Sequence, residues 1–276
     1  MICFPNAKIN IGLHVTGKRE DGYHNIETLF YPVKLTDILE IIPLSGKDSD
    51  RVRFINTGIK IDVDASDNLC VRAWRELSHI RPLPPVKIHL HKIIPHGAGL
   101  GGGSSNAASV LMTLNELFEL NIADSELALI AGRIGSDCPF FIYNKPVFAK
   151  GRGDILEPAG IDLSGCRIVI VHPGKGINTA WAYSMIRITN RNGSLMDILQ
   201  TDPATWQGRV INDFEPVVFA SYPIVNDIRQ KLTGSGAFFA SVTGSGSAVY
   251  GLFNSTDDKV NLEDQFPGMF VWEGTL

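Results

Sequence analysis

The stretch "PHGAGLGGGSSNAASVL", residues 95–111, decides how the chain is read, because its glycines are either a loose connection or a socket for an anion. A strand-to-helix turn needs one or two glycines; more of them raise the entropy cost of folding unless the backbone must come close to something. Here Gly97, Gly99, Gly101, Gly102 and Gly103 precede "SSNAASVLMTLNELFEL", which opens on serines able to cap a helix and carries Ala107, Leu111, Leu114 and Phe118 at helical spacing. The start of a helix exposes unpaired N–H groups and a positive dipole end, and glycines let those groups approach phosphate oxygens closely. The stretch therefore predicts a phosphate socket.

Two better-known glycine patterns fit less well. "GAGLGG" matches G-x-G-x-x-G, but "KIIP" intervenes after the strand, and the nearest acids, Glu116 and Glu119, fall inside the following helix, where neither can hold a ribose. No lysine follows the glycines, so the P-loop pattern fails as well.

Outward from the loop, "VKIHLH" alternates as a strand, and "DNLCVRAWRELSH", Asp67 to His79, opens on capping residues and predicts a helix. Further upstream, "NIGLHVTG" and "HNIETLFYPV" read as strands joined by a polar turn, followed by strands "DILEII" and "RVRFI". Downstream, "DSELALIAGRI" predicts a helix ending at Gly135. The Gly- and Pro-rich run 144–165 then reads as a connection. The second half gives strand "RIVIVH", helix "TAWAYSMI", helices within 195–232, and strands "AFFASV" and "AVYGLF" around the turn "TGSGS". Both halves are α+β. A domain boundary is expected near 154/155.

The 276 residues suit two domains, and 44% hydrophobic with 20% charged residues is the composition of a globular protein. A formal net charge of -4 leaves no basic footprint, so no nucleic-acid partner is expected. Cys3, Cys70, Cys138 and Cys166 form no C-x-x-C pair, which predicts reduced thiols in a cytoplasmic protein. "MICFPNAKIN" lacks the apolar run of a signal peptide, and no stretch approaches the ~20 apolar residues of a membrane span. His89 and His91 share a strand face without a third ligand, so they read as structural, and no protein metal ligand is expected.

"PNAKINIGLHVTGKREDGYHNIETLF", "GAGLGGGSSNAA" and "VTGSGSAVYGLF" together resemble the three motifs of the superfamily of galactokinase, homoserine kinase, mevalonate kinase and phosphomevalonate kinase, the GHMP kinases. "GYHNI" narrows the likeness to the diphosphocytidyl-methylerythritol kinases, with "DNLCVRA", "GSDCPFF" and "INDFEPVVF" in order between the motifs. The resemblance implies a two-domain α+β architecture with an active site in the interdomain cleft. An ATP-binding and catalytic domain would span 1–154 and a substrate-binding domain 155–276. The implied reaction moves the γ-phosphoryl of ATP, accompanied by Mg2+, to the tertiary 2-hydroxyl of a cytidine-diphosphate-linked methylerythritol, in the non-mevalonate route to isoprenoids. The implied enzyme is a monomer or weak homodimer.

Residue by residue, the resemblance makes Asp137 the general base and Lys8 its partner. A tertiary alcohol is a poor nucleophile, so a carboxylate must accept its proton, and a cation nearby favours the ionised carboxylate. Taken without the family, Asp137 reads as a cap on a turn and Lys8 as a solvated strand lysine. Asn10, two residues beyond Lys8 and on the same strand face, would bind the methylerythritol end. Tyr23 would stack on cytosine, His24 would bond its edge, and Tyr183 would cover the other face, with Trp181 as its rival. Asn68 and Lys92 would lie near the nucleoside of ATP. The loop of Pro95, Gly97, Gly99, Leu100, Gly101, Gly102, Gly103, Ser104 and Ser105 would hold its phosphates. Relatives often carry a second basic residue after the lysine, where this chain has Ile93. Thr243, Gly244 and Ser245 would turn beside the substrate phosphates, or form only a glycine hairpin. Rival readings keep the fold with homoserine or mevalonate as acceptor, or keep nucleotide binding without catalysis.

Overall fold

The computed structural model describes residues 1–44, 51–61, 63–189, 191, 193–255 and 262–276. In chain order its elements are β1 (Ile2–Cys3), β2 (Asn6–Lys18), β3 (His24–Thr36), β4 (Ile38–Pro43), β5 (Val52–Gly58), α1 (Leu69–Ile80), β6 (Val86–Lys92), α2 (Gly102–Leu117), α3 (Asp124–Ile134) and α4 (Cys138–Tyr143). There follow β7 (Val147–Lys150), β8 (Ile155–Pro158), β9 (Arg167–His172), α5 (Thr179–Met185), α6 (Leu195–Leu199), α7 (Glu215–Ser221), α8 (Pro223–Gly234), β10 (Phe239–Val242), β11 (Val249–Phe253) and β12 (Phe270–Thr275). Among the described residues no helix is long and apolar enough to cross a membrane.

The chain packs as two compact units, each assembled from three segments: 1–7, 35–96 and 101–145 in one, and 8–34, 97–100 and 146–276 in the other. The boundary expected near 154/155 divides the chain by order, whereas this division follows packing.

In the first unit, a four-stranded sheet runs β1-β4-β6-β5, with only the β5/β6 pair parallel. Alternation decides its faces: Leu39 and Ile41 of β4, and Val86, Ile88 and Leu90 of β6, are buried. Helix α2 packs against α1, α3, α4 and β4. Small side chains such as Ala107 and Ala108, with Val110, Leu111 and Leu114, make most of α2 a buried surface. Each large aliphatic side chain so buried contributes roughly 1.5–3 kcal/mol. Phe118 lies beyond the last turn of α2 as its C-cap.

The second unit holds sheet β2-β3-β7-β8 and the antiparallel sheet β10-β11-β9-β12. All six residues of β9 are buried, because strands cover both its edges and α8 packs on the same sheet at β10 and β11. Val169, Val171, Val218, Ile228, Leu232, Val249 and Phe253 belong to one core there.

The structure departs from the sequence reading in four places. The helix after the glycine loop begins at Gly102, two residues before the serines, and its N-cap is Gly101 in a left-handed conformation (φ 70°, ψ 10°). The serines thus lie within the first turn and do not cap it. The run 144–165 is not merely a connection. It contains the hairpin β7/β8, whose four-residue strands are too short to show a period between glycines and prolines, and β7 is held by pairing with β3. "DCPFFI", read as following a turn, forms α4. Finally, residues 270–275 form β12 at the edge of the sheet beside β9, where Arg167 also reaches Glu273 (2.9 Å).

Candidate active site

Lys8 is 3% exposed, against the solvated position that its residue type suggests. Its ammonium donates to Asn10 Oδ1 and to the carbonyl of Gly99 (3.1 Å), and it lies 4.9 Å from the centre of the Phe30 ring. Strand alternation puts Lys8 and Asn10 side by side, as expected. The backbone of Lys8 also donates to the carbonyl of Leu100 (2.9 Å), so β2 is tied directly to the glycine loop.

Thr243 closes this group. Its hydroxyl accepts from the Asn10 N–H (3.0 Å) and donates to the Gly99 carbonyl (3.0 Å). Only glycine fits at position 99: φ is +78°, and a Cβ would stand 2.0 Å from the Thr243 carbonyl oxygen. Asn212, buried, donates to the carbonyls of Val242 (2.8 Å) and Gly244 (2.9 Å), fixing the turn from below. Ser245 meets the hydroxyl of Thr179 (3.1 Å). Lys8, Asn10, Gly99, Leu100, Thr243 and Gly244 are thus one hydrogen-bonded cluster in the second unit.

A second group lies in the first unit around the start of α2. The first-turn N–H groups of a helix have no intrahelical acceptor, and Gly101 offers no side chain to cap them, so the turn retains donors for an anion. Beneath it, Lys92 is buried and its ammonium pairs with Asp37, whose carboxylate also accepts from the N–H groups of Ile93 (2.7 Å) and Ile94 (2.8 Å) and from Asn106 (2.8 Å). Burial lowers the Lys92 pKa, and Asp37 opposes that shift. Asn68 caps α1, its side-chain oxygen accepting from the Cys70 N–H (2.9 Å).

In the same unit Asp137 is half-buried at the N-cap position of α4, yet its side chain makes no capping hydrogen bond to that helix. Capping therefore does not account for this carboxylate. Its neighbour Cys138 is buried, with a thiol pushed up to about 12 by desolvation and hydrogen-bonded to Ser104, which links α4 to the first turn of α2.

A third group, again in the second unit, is aromatic. The turn 19–23 joins β2 to β3, closed by Arg19 N–H to the Tyr23 carbonyl (2.8 Å). The ring of His24 stacks on Tyr183 (centroids 4.9 Å apart, planes at 17°), and Tyr183 meets Phe214 edge-on. Trp181 instead packs against Tyr222. Tyr23 is 54% exposed, with the Arg152 guanidinium 5.0 Å from its ring. Burial, then the charge of Lys18, lowers the His24 pKa, which favours the neutral ring.

Asp37, Thr28, Asn212 and Tyr250 carry no role in the sequence reading, although the structure places them against its candidates. Tyr250 donates to the Asn10 carbonyl (2.9 Å), and Thr28 accepts from Asn10 Nδ2 (3.0 Å). A polar residue inside an apolar strand, such as Thr28 in "IETLF", was the available signal. Among the described residues no group of three or more His, Cys, Asp or Glu side chains is arranged to hold a metal ion.

Comparison with known proteins agrees along the whole chain. Residues 68–145 match the family model for the GHMP kinases N terminal domain, and residues 190–271 match that for the GHMP kinases C terminal domain. The chain is 45% identical to the 4-diphosphocytidyl-2-C-methyl-D-erythritol kinase of Parabacteroides distasonis and 44% identical to that of Bacteroides fragilis, with 100% of both chains covered in each case. A crystal structure of a 4-(cytidine 5'-diphospho)-2C-methyl-D-erythritol kinase, 31% identical, superposes with a TM-score of 0.83 over 100% of this chain and 98% of that one. Full-length identity at this level, together with the matches to both family models, means that this chain belongs to the 4-diphosphocytidyl-2-C-methyl-D-erythritol kinase family of the GHMP kinases.

Proposed function

We propose that the chain transfers the γ-phosphoryl group of ATP to the tertiary 2-hydroxyl of 4-diphosphocytidyl-2-C-methyl-D-erythritol, a step of the non-mevalonate route to isoprenoid precursors. The observation that carries this reading is the buried Lys8 ammonium, held on the Gly99 carbonyl inside the glycine loop. Burying a cation is costly, and this one is fixed to the segment that the sequence assigns to phosphate.

In this proposal Asp137 accepts the hydroxyl proton as the new P–O bond forms, a contribution of ~10² to 10⁴ in rate. Lys8 stabilises the negative charge that develops on the hydroxyl oxygen. The first-turn amides of α2, from Gly101 to Ser104, hold the triphosphate, each dipole contact supplying ~0.3 to 1 kcal/mol, while the Ser105 N–H closes the turn on the Gly101 carbonyl (2.9 Å). Asn68, Lys92 and Pro95 support the nucleotide; Lys92, paired with Asp37, acts by setting the start of α2. Tyr23, His24 and Tyr183 take the cytosine, and Asn10, Thr243, Gly244 and Ser245 take the rest of the acceptor. Stacking contributes ~1 to 3 kcal/mol per base but tolerates any base, so the choice of cytosine falls to hydrogen bonds from the neutral His24 ring. Magnesium would accompany ATP and neutralise its phosphate charge; such an ion is held by one or two carboxylates together with phosphate oxygens and water. The same reading makes the protein a cytoplasmic enzyme, monomeric or weakly dimeric.

Asp137→Asn tests the assignment of the base. Turnover should fall by at least ~10²-fold while ATP binding, measured by calorimetry, persists. Turnover close to that of the unaltered chain would remove Asp137 from the reaction.

A further inference from the structure

We infer that Thr28 is a positioning residue for Lys8, acting through Asn10; the inference rests on the role proposed for Lys8 above. The three side chains form a directional chain of hydrogen bonds in one buried place, with Thr28 at 0% exposure. At its far end the carbonyl of Gly12, 2.6 Å from the Thr28 hydroxyl, can only accept. The single hydroxyl proton of Thr28 therefore points to Gly12, and the Thr28 oxygen is left to accept.

Asn10 Nδ2, 3.0 Å away, donates to that oxygen. This fixes which way the Asn10 amide faces, because an ammonium group at the other end can only donate. Asn10 Oδ1 is thereby turned to Lys8, which donates to it. A reversed amide would set Nδ2 against the ammonium and Oδ1 against a hydroxyl whose proton is already engaged, two mismatches in a buried site. The Gly99 carbonyl, which also accepts from Lys8, accepts in turn from the Thr243 hydroxyl (3.0 Å).

Thr28→Val keeps the β-branched shape and removes the hydroxyl, so the strand is preserved while the buried Asn10 Nδ2 loses its Thr28 acceptor and the amide is held from the Lys8 side alone. Steady-state rates with ATP and the cytidylated alcohol are measured for the full chain and for Thr28→Val, Thr28→Ser and Lys8→Met. The expected result is a fall in kcat of about tenfold or more in Thr28→Val, with both KM values within about threefold of the unaltered chain, and recovery of kcat in Thr28→Ser. Should Thr28→Val fail to fold, Thr28→Cys, which keeps the volume and only a weak donor, must show the same split. A folded variant without the hydroxyl that keeps kcat within about twofold, or a serine variant as slow as valine, would overturn the inference. Lys8→Met separates the two claims: if it turns over normally, the role of Lys8 fails; if it is inactive while Thr28→Val is normal, only Thr28 is misassigned.

Discussion

At the scale of single residues, the side chains that carry charge in the proposed reaction were legible, and those that orient them were not. Lys8 and Asp137 stand in recognisable motifs, but much of the polar framework of the candidate groups joins residues distant in sequence: Thr28 lies 16 residues from Gly12, Asn212 30 from Val242, and Asp37 55 from Lys92. Spacing rules describe one strand or helix, so a contact of this kind leaves only an unexplained polar residue in an apolar run. The buried histidines are a further example. His14 and His172 have lowered pKa values, chiefly through desolvation, and among the described residues the Nε2 atom of neither finds a hydrogen-bond partner. A free histidine titrates near pH 6.5, so on acidification the unfolded chain binds protons before these two rings do in the folded state. Their contribution to stability is therefore complete above about pH 6.5 and is lost as pH falls through the lowered folded values. Thermal melts between pH 7.5 and 5 should show the midpoint falling, and His172→Gln should flatten that dependence. An unchanged slope in the variant would contradict the assignment for His172.

At the scale of elements, strong periodicity was sufficient and short strands were not. The strands β2, β3, β4, β5, β6, β9, β10 and β11 and the helices α1, α2 and α3 follow their apolar patterns, whereas β7, β8 and the six-residue α4 needed tertiary pairing to exist. The glycine loop shows why position matters more than glycine count. Gly101 adopts a left-handed conformation (φ 70°) at the N-cap of α2, whereas Gly103, within the helix, would place a Cβ at ordinary contact distance, 3.4 Å, from Leu69 Cδ1. Gly101→Ala should cost about 1–2 kcal/mol in stability, because an L side chain resists that backbone. Gly103→Ala should hold or raise the melting midpoint, since alanine favours helix over glycine by about 0.8–1.0 kcal/mol. It should nevertheless raise the KM for ATP, because a methyl group is added beside the amides that hold phosphate. A Gly103→Ala chain with unaltered KM for ATP would reduce this segment to a turn.

At the scale of the whole molecule, three motifs in chain order specified the family, while the packing could not be read from order alone. The segments of the two compact units alternate along the chain, with residues 97–100 of the glycine loop assigned to one and 101–105 to the other. Chain order could not anticipate that, because it records neighbours along the backbone and not across sheets. The proposed function distinguishes this kinase from relatives of the same fold by its acceptor, and assigns recognition of the cytidine to Tyr23, His24 and Tyr183, of which His24 and Tyr183 stack on each other. The most direct measurement is ADP release by the purified chain supplied with ATP and, in parallel, the cytidylated methylerythritol, homoserine and mevalonate. Stacking alone, at ~1 to 3 kcal/mol, gives a factor of about 5 to 150, so kcat/KM for the cytidylated alcohol should exceed that for either other acceptor by at least about fivefold. ADP release that is equal or faster with homoserine or mevalonate, or that is absent with the cytidylated alcohol, would contradict the account.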